Sequence, residues 1–294
     1  RPNTADLQRI VVRPVLAPAY DPTNQSINFL EAESGEPFAI TMDGIRERLA
    51  SETDIPGIIA VNWSPNQNDT KAIVKTVDGS YYIDYQASKV FLIDEVTHSA
   101  WSPDGQQIVY ICPEGICVAD PDNGEKQTIM PDNLQDINLL WQDKIYLYSR
   151  PSAHASSPVM AVDPVTLKLE KVLNSAPGLI FKTNGVNKLY SMGKDLYLDD
   201  TKLALQTLAS KCTLANYYAV CAVARDIPLG TIMPDDYLQN TFSSNDTLYR
   251  INLISQEVIP LKSTSLDIVD IVILEDRLVF RDKPTGSLYT LIFP

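Results

Sequence analysis

The chain has 294 residues, of which 45% are hydrophobic and 21% charged, enough apolar side chain for a full core and too much for a disordered or fibrous protein. Its 24 basic and 37 acidic side chains leave a net charge of −13 with no basic block to neutralise phosphates, which argues against nucleic acid as a partner. No run approaches the roughly 18 uncharged apolar residues of a membrane-spanning helix.

Short alternating runs separated by Pro, Asp, Asn and Gly predict antiparallel strands along the whole chain. The first, residues 7–12, has no unit of its own. After it, an aromatic or apolar residue before a turn marks each of seven units: Tyr20, Trp63, Trp101, Trp141, Phe181, Leu214 and Leu274. The markers lie about 42 residues apart on average, the length of a four-stranded propeller blade.

In chain order the blades are predicted at residues 13–51, 56–95, 96–131, 132–174, 177–210, 211–262 and 263–294. Their second strands fall at 27–32, 72–77, 108–112, 144–149, 188–192, 218–223 and 277–281, and their third strands begin near 37, 81, 116, 158, 196, 247 and 287. The fourth strands, at 46–50, 90–94, 126–130, 170–173, 205–209 and 258–262, are more polar, as outer edges require. Residues 43–51 alone show a trace of helical periodicity and are read as a turn and outer strand. The seventh unit lacks a fourth strand, so residues 7–12 are expected to supply it. The fold class predicted is all-β, a seven-bladed β-propeller forming one domain over residues 1–294, with six blades as the rival count if the short fifth unit is not a true blade.

Cys112 and Cys117 flank a Pro-Glu-Gly turn between two strand-like runs, and Cys212 and Cys221 flank a second strand–turn–strand segment. Each pair can close locally, and each short loop would contribute about 2–3 kcal/mol. Zinc is the alternative. It is a poor fit, because there is no CxxC and only His98 and His154 could assist. Paired disulfides place the protein in an oxidising, extracytoplasmic compartment.

Trp101-Ser-Pro-Asp-Gly105 followed by an alternating strand, with a degraded copy at Trp63-Ser-Pro-Asn, resembles the WD40-like repeat of TolB-type propellers, known as PD40. More narrowly, Pro177-Gly-Leu, the Lys211-Cys-Thr and Cys221-Ala-Val segments, and Met233-Pro-Asp-Asp-Tyr237 resemble uncharacterised envelope propellers of candidate-phylum bacteria. That resemblance implies an N-terminal membrane tether outside this sequence. TolB itself has a separate α/β domain, which nothing here could supply.

Two connections, residues 150–157 and 225–246, are far longer than ordinary hairpin loops and are expected to open on the same face. They would wall a notch lined by Arg150, His154, Arg225, Asp226, Asp235, Asp236 and Tyr237, suited to a peptide, a chain terminus or a sugar. The plainer reading is that Asp235 and Asp236 set a turn after Pro234 and that Arg225 pairs with a neighbouring acid. Asp120-Pro-Asp-Asn-Gly124 is faintly calcium-loop-like but lacks the later bidentate Glu and is read as a turn. His98 is read as channel-lining or core, and the tryptophans as blade packing. Sequons occur at Asn24, Asn62, Asn68 and Asn245, with Asn62 inside a strand.

There is no G-x-S-x-G elbow and no H-E-x-x-H, and the chain has no room for a separate hydrolase domain. The expected function is therefore a non-catalytic binding or scaffolding propeller of the cell envelope, monomeric, without cofactor or metal, whose partner is an envelope protein or peptide. The alternative is a glycan-active enzyme, hydrolase or lyase, using carboxylates at the channel mouth. Nonreducing peptide mapping should recover Cys112 joined to Cys117 and Cys212 to Cys221; free thiols there would overturn the compartment assignment.

Overall fold

The computed structural model describes residues 6–41, 43–49, 55, 57–65, 70–87, 89–93, 98–131, 136–274 and 276–292. It is a seven-bladed β-propeller, each blade a four-stranded antiparallel sheet. Strand β1 (Leu7–Val11) precedes the first blade, which comprises β2 (Val15–Asp21), β3 (Ser26–Glu31), β4 (Pro37–Thr41) and β5 (Arg46–Arg48). The second holds β6 (Ile58–Trp63), β7 (Lys71–Thr76), β8 (Ser80–Asp84) and β9 (Lys89–Ile93). The third holds β10 (Ser99–Trp101), β11 (Ile108–Cys112), β12 (Gly115–Ala119) and β13 (Lys126–Met130). The fourth is β14 (Ile137–Trp141), β15 (Ile145–Ser149), β16 (Ser156–Val162) and β17 (Leu169–Pro177). The fifth, a full blade, is β18 (Leu179–Thr183), β19 (Lys188–Met192), β20 (Asp195–Leu198) and β21 (Thr201–Gln206). The sixth is β22 (Cys212–Leu214), β23 (Tyr218–Ala224), β24 (Asp246–Asn252) and β25 (Val258–Ser263), with one helical turn, α1 (Asp235–Leu238), inside the long connection. The seventh takes β26 (Ile268–Ile273), β27 (Arg277–Asp282) and β28 (Leu288–Ile292), with β1 as its outer strand.

The chain packs as two compact units. One comprises Val15–Arg150 and Val159–Val172; the other comprises Arg1–Pro14, Pro151–Pro158 and Leu173–Pro294. Within the first, the repeat motif explains itself. In Trp101-Ser-Pro-Asp-Gly105 the Ser102 hydroxyl donates to Asp104 Oδ1 (2.6 Å) and accepts from the Gln107 N–H (2.9 Å). Gly105 adopts a left-handed φ of 69° that a side chain would resist. The Trp101 ring is buried against Tyr82, Ile73 and Ile108, and its indole N–H donates to the Asn62 carbonyl on β6 (2.8 Å). Trp63 repeats the contact one blade earlier, donating to the Ala17 carbonyl on β2 (2.7 Å). Asp120 to Gly124 forms a turn, with the Gly124 N–H bonded to the Asp120 carbonyl (2.9 Å).

In the second unit, β1 runs antiparallel to β28, with Leu7 opposite Leu291 and Val11 opposite Leu288. Leu7 packs on Leu278, Phe280 and Leu291, so the apolar face of this strand is what holds it in place. The predicted outer strand at 205–209 lies earlier, as β21, because Asp199 takes a left-handed φ of 50° and lets β20 turn tightly into it. Both disulfides are formed, Cys112 to Cys117 and Cys212 to Cys221. Among the described residues no helix is long and apolar enough to cross a membrane. The Asn68 sequon lies outside the described residues.

Replacing Trp101 with Ala should cost about 3–5 kcal/mol in urea unfolding. Trp101→Phe, which keeps a ring but leaves the Asn62 carbonyl without its donor, should cost about 1–3 kcal/mol. An unchanged midpoint in Trp101→Ala would show that this blade contact is not load-carrying.

Candidate functional site

The two long connections expected to wall a notch meet in the second unit. The Asp235 carboxylate accepts the Ala153 N–H (2.7 Å) and the Ser152 hydroxyl (3.1 Å), fastening one loop to the other. Asp236 turns back on its own segment, accepting the Ile232 N–H (2.7 Å), which is the turn-setting role foreseen for it. Gly178, left-handed at φ 66°, lies under the insertion: a Cβ there would come within 2.9 Å of Pro234 Cδ. His154, Arg225 and Asp226 are exposed, and Arg225 donates to the Thr264 carbonyl rather than to an acid.

Tyr237 does not line an open notch. It is only 4% exposed, its hydroxyl donates to Asp267 Oδ1 (2.7 Å), and the Lys283 ammonium sits 3.5 Å from its ring centroid. Burial and the Asp267 carboxylate push its phenol well above the ordinary range. Arg150 belongs to the other unit, where its backbone N–H donates to the Asp136 carbonyl (2.9 Å). The open surface left by the insertion is a cavity of about 390 Å³ between Gly193–Lys194 and residues 227–233, lined mainly by backbone and apolar groups such as Leu229 and Met233.

A chemically richer cavity, about 260 Å³, lies in the first unit where β6, the end of β7 and the start of β10 converge. His98 and Lys75 supply its titratable groups; Asn62, Ser80 and Ser99 are polar, Ile59 and Ile73 apolar, and none of its described lining residues is an acid. The strands fix these positions: the His98 carbonyl accepts the Ile111 N–H (3.2 Å), and Asn62 Nδ2 donates to the Ser99 carbonyl (3.2 Å). The imidazole pKa is lowered, first by partial burial and then by the positive charges of Lys75 and Arg150, with Asp136 pulling the other way. A ring in that state is neutral at neutral pH and can take a proton, while the cations around it can hold an anion. Sequence reasoning placed His98 in the channel wall or core and found Arg150 for a different reason. The only available signal was position, since His98 stands at a blade-to-blade connection.

The one cluster among the described residues with metal-ligand side chains is Cys112, Glu114 and Cys117, whose sulfurs are joined to each other and offer no thiolate.

No family model matches the sequence, and no curated protein does. Solved structures match it over 99% of its length. An oligogalacturonate lyase from Vibrio parahaemolyticus superposes with a TM-score of 0.68 at 10% identity, covering 94% of that chain. An oligogalacturonate lyase in complex with manganese gives 0.69 at 12%, covering 93%. Virginiamycin B lyase from Staphylococcus aureus gives 0.64 at 10%, covering 100%. At such identities the likeness establishes the propeller fold and does not single out the TolB/PD40 type.

It also corrects the expectation of a non-catalytic scaffold. That expectation rested on the lack of familiar catalytic motifs and of room for a separate hydrolase domain. The oligogalacturonate lyases are glycan-active enzymes matched over nearly their whole chains by this one, so they sustain chemistry without a large added domain.

Asp235→Ala should release the loop it holds, with amide exchange at Ala153 accelerating about tenfold through loss of a charge-assisted hydrogen bond. Unchanged exchange at Ala153 would show that the loop is held by other contacts.

Proposed function

We propose that this propeller is a glycan-active enzyme, a lyase that acts on acidic, uronate-bearing oligosaccharides at the His98 cavity. One arrangement carries the reading: a half-buried imidazole that lines the cavity with Lys75, its pKa lowered by burial and by the charges of Lys75 and Arg150. The whole-length likeness to oligogalacturonate lyases supports it.

β-Elimination from a uronate asks three things of a protein. The sugar carboxylate must be neutralised, so that the proton on the adjacent ring carbon becomes acidic. A base must take that proton, and the glycosidic oxygen must depart as the double bond forms. Lys75 and Arg150 meet the first need by charge, and His98 meets the second as a neutral base. Hydrolysis by paired carboxylates needs two acids about 5–9.5 Å apart. The described lining contributes an imidazole and an amine, the kinds of group that elimination uses. Manganese, present in one of the similar lyases, is not part of this reading, which rests on His98, Lys75 and Arg150. The two disulfides support an extracytoplasmic setting, and the Trp-Ser-Pro-Asp-Gly unit supports TolB/PD40-type ancestry for the blades.

Incubation with oligogalacturonate should generate an unsaturated product, followed by its ultraviolet absorbance. His98→Gln should lower kcat/KM by about 100-fold or more, and Arg150→Ala should act mainly on KM. Because the folded His98 pKa lies below the ordinary histidine value, the active neutral form should persist into mildly acidic solution. Lys75→Met removes a charge that disfavours the imidazolium, so the acid limb of the pH profile should move to higher pH. Undiminished turnover in His98→Gln, or products lacking the new double bond, would sink the proposal.

A further inference from the structure

Among the described residues of the second unit, a buried cluster of charged side chains gathers outside the lining of the two cavities above. Lys211 ends the short 3-10 turn at Ala209–Lys211, immediately before β22. Its ammonium lies 2.7 Å from Asp246 Oδ2, at the start of β24, and 2.8 Å from Asp267 Oδ1, just ahead of β26. Lys211 is 3% exposed, Asp246 0% and Asp267 1%. The aromatic face of Tyr237 covers the amine, with its ring centroid 4.7 Å from Nζ. Two donors point at the Asp246 carboxyl: the Ser244 hydroxyl at Oδ1 (2.8 Å) and the Ile268 N–H at Oδ2 (2.6 Å). Asp267 in turn receives the Tyr237 hydroxyl (2.7 Å) and the Ser244 N–H (3.2 Å).

One amine, two carboxyls and no water access make an unusual chemical situation. Two carboxylates a few ångströms apart in a dry site resist being ionised together, and one retains its proton. Burial raises the Asp246 pKa. Burial acts on Asp267 in the same direction, but Lys211, Tyr237 and the Ser244 N–H outweigh it and hold that group below the usual carboxylate range. The two acids are thereby pushed in opposite directions, Asp246 toward the protonated carboxylic acid and Asp267 toward the ionised base touching the amine.

We propose that Lys211 and Asp246 condense into an intramolecular isopeptide bond, with Asp267 as the proton-transferring group. Asp267 takes one proton from the Lys211 ammonium, and the freed lone pair attacks Cγ of protonated Asp246, forming the Nζ–Cγ bond. A second Nζ proton passes through the Asp267 carboxyl to the departing hydroxyl; the Cγ–O bond breaks and one water leaves. The amide keeps one N–H, and Asp267 finishes protonated, so every proton is accounted for and no oxidant or other reactant is needed. Each Asp246 oxygen has one of these donors, Ser244 on Oδ1 and Ile268 on Oδ2, so the donor on the oxygen that stays stabilises the oxyanion of the tetrahedral intermediate while the other oxygen departs. In open water hydrolysis would win. Here the reacting groups are held together at high effective concentration, and condensation replaces a costly buried ion pair with a neutral amide. The product would join the entry of β22 to the start of β24, beside the Cys212–Cys221 disulfide.

The test is the intact mass of the full chain, folded, then reduced and denatured. Wild-type protein should be lighter than its sequence by one water, and digestion should yield a branched peptide joining Lys211 to Asp246. Asp246→Asn should form the same link while losing one ammonia instead. Asp267→Asn should keep the full mass of its sequence. Wild-type protein of full sequence mass after prolonged incubation in the folded state would overturn the proposal, whatever the variants do. A linked Asp267→Asn chain would overturn the role given to Asp267.

Discussion

A buried indole must find an acceptor for its N–H, and in this fold the acceptor is supplied by the neighbouring blade. Trp63 reaches the Ala17 carbonyl and Trp101 the Asn62 carbonyl, each on the first strand of the blade before. Because leaving that N–H unpaired in the interior would cost about 1–3 kcal/mol, the ring cannot slide along its neighbour, and the spacing of successive blades follows. The other unit does the same with different side chains: Asn184 Nδ2 donates to the Ala215 carbonyl (3.0 Å), and Lys182 donates to the Cys212 carbonyl (2.5 Å). Burial lowers the Lys182 pKa while Asp270 opposes the shift. What recurs is the polar hand-off from blade to blade, not the residue that performs it. This is why the tryptophan motif is plain in only part of the chain although all seven blades are built.

That distinction separates what could be read in the sequence from what could not. Blade number and strand order follow from alternation and turn chemistry, both local properties. The Ser102–Asp104 hydrogen bond and the left-handed Gly105 form a five-residue device visible as a motif. The pairing of residues 7–11 with 288–291 was legible by elimination, since one strand lacked a blade and one blade lacked a strand. The His98 setting is not local: Lys75 comes from the second blade, Asp136 and Arg150 from the fourth, and only the fold brings their charges to one ring. Tyr237 misled for a related reason. A phenol in a long insertion reads as exposed, and nothing nearby in sequence announces that Asp267 and Lys283 will enclose it.

The two halves of the molecule also handle charge differently. Around His98 the imidazole and the Lys75 amine line a cavity. Around Lys211 the charges are buried and act on one another and on the Tyr237 phenol. The same elementary rule, that burial penalises the charged form, gives a neutral base in the first place and a divided pair of acids in the second.

The register of the seventh blade has a mechanical corollary. With Leu7 opposite Leu291, the free ends of β1 and β28 emerge side by side. A force drawing these two ends apart would pull across the hydrogen bonds rather than along the strands, and would open them one after another like a zip. Any body attached at either end would therefore hang from the same rim of the molecule, and strain on it would be felt first at the outermost strand, leaving the six other sheets untouched until that strand had peeled away.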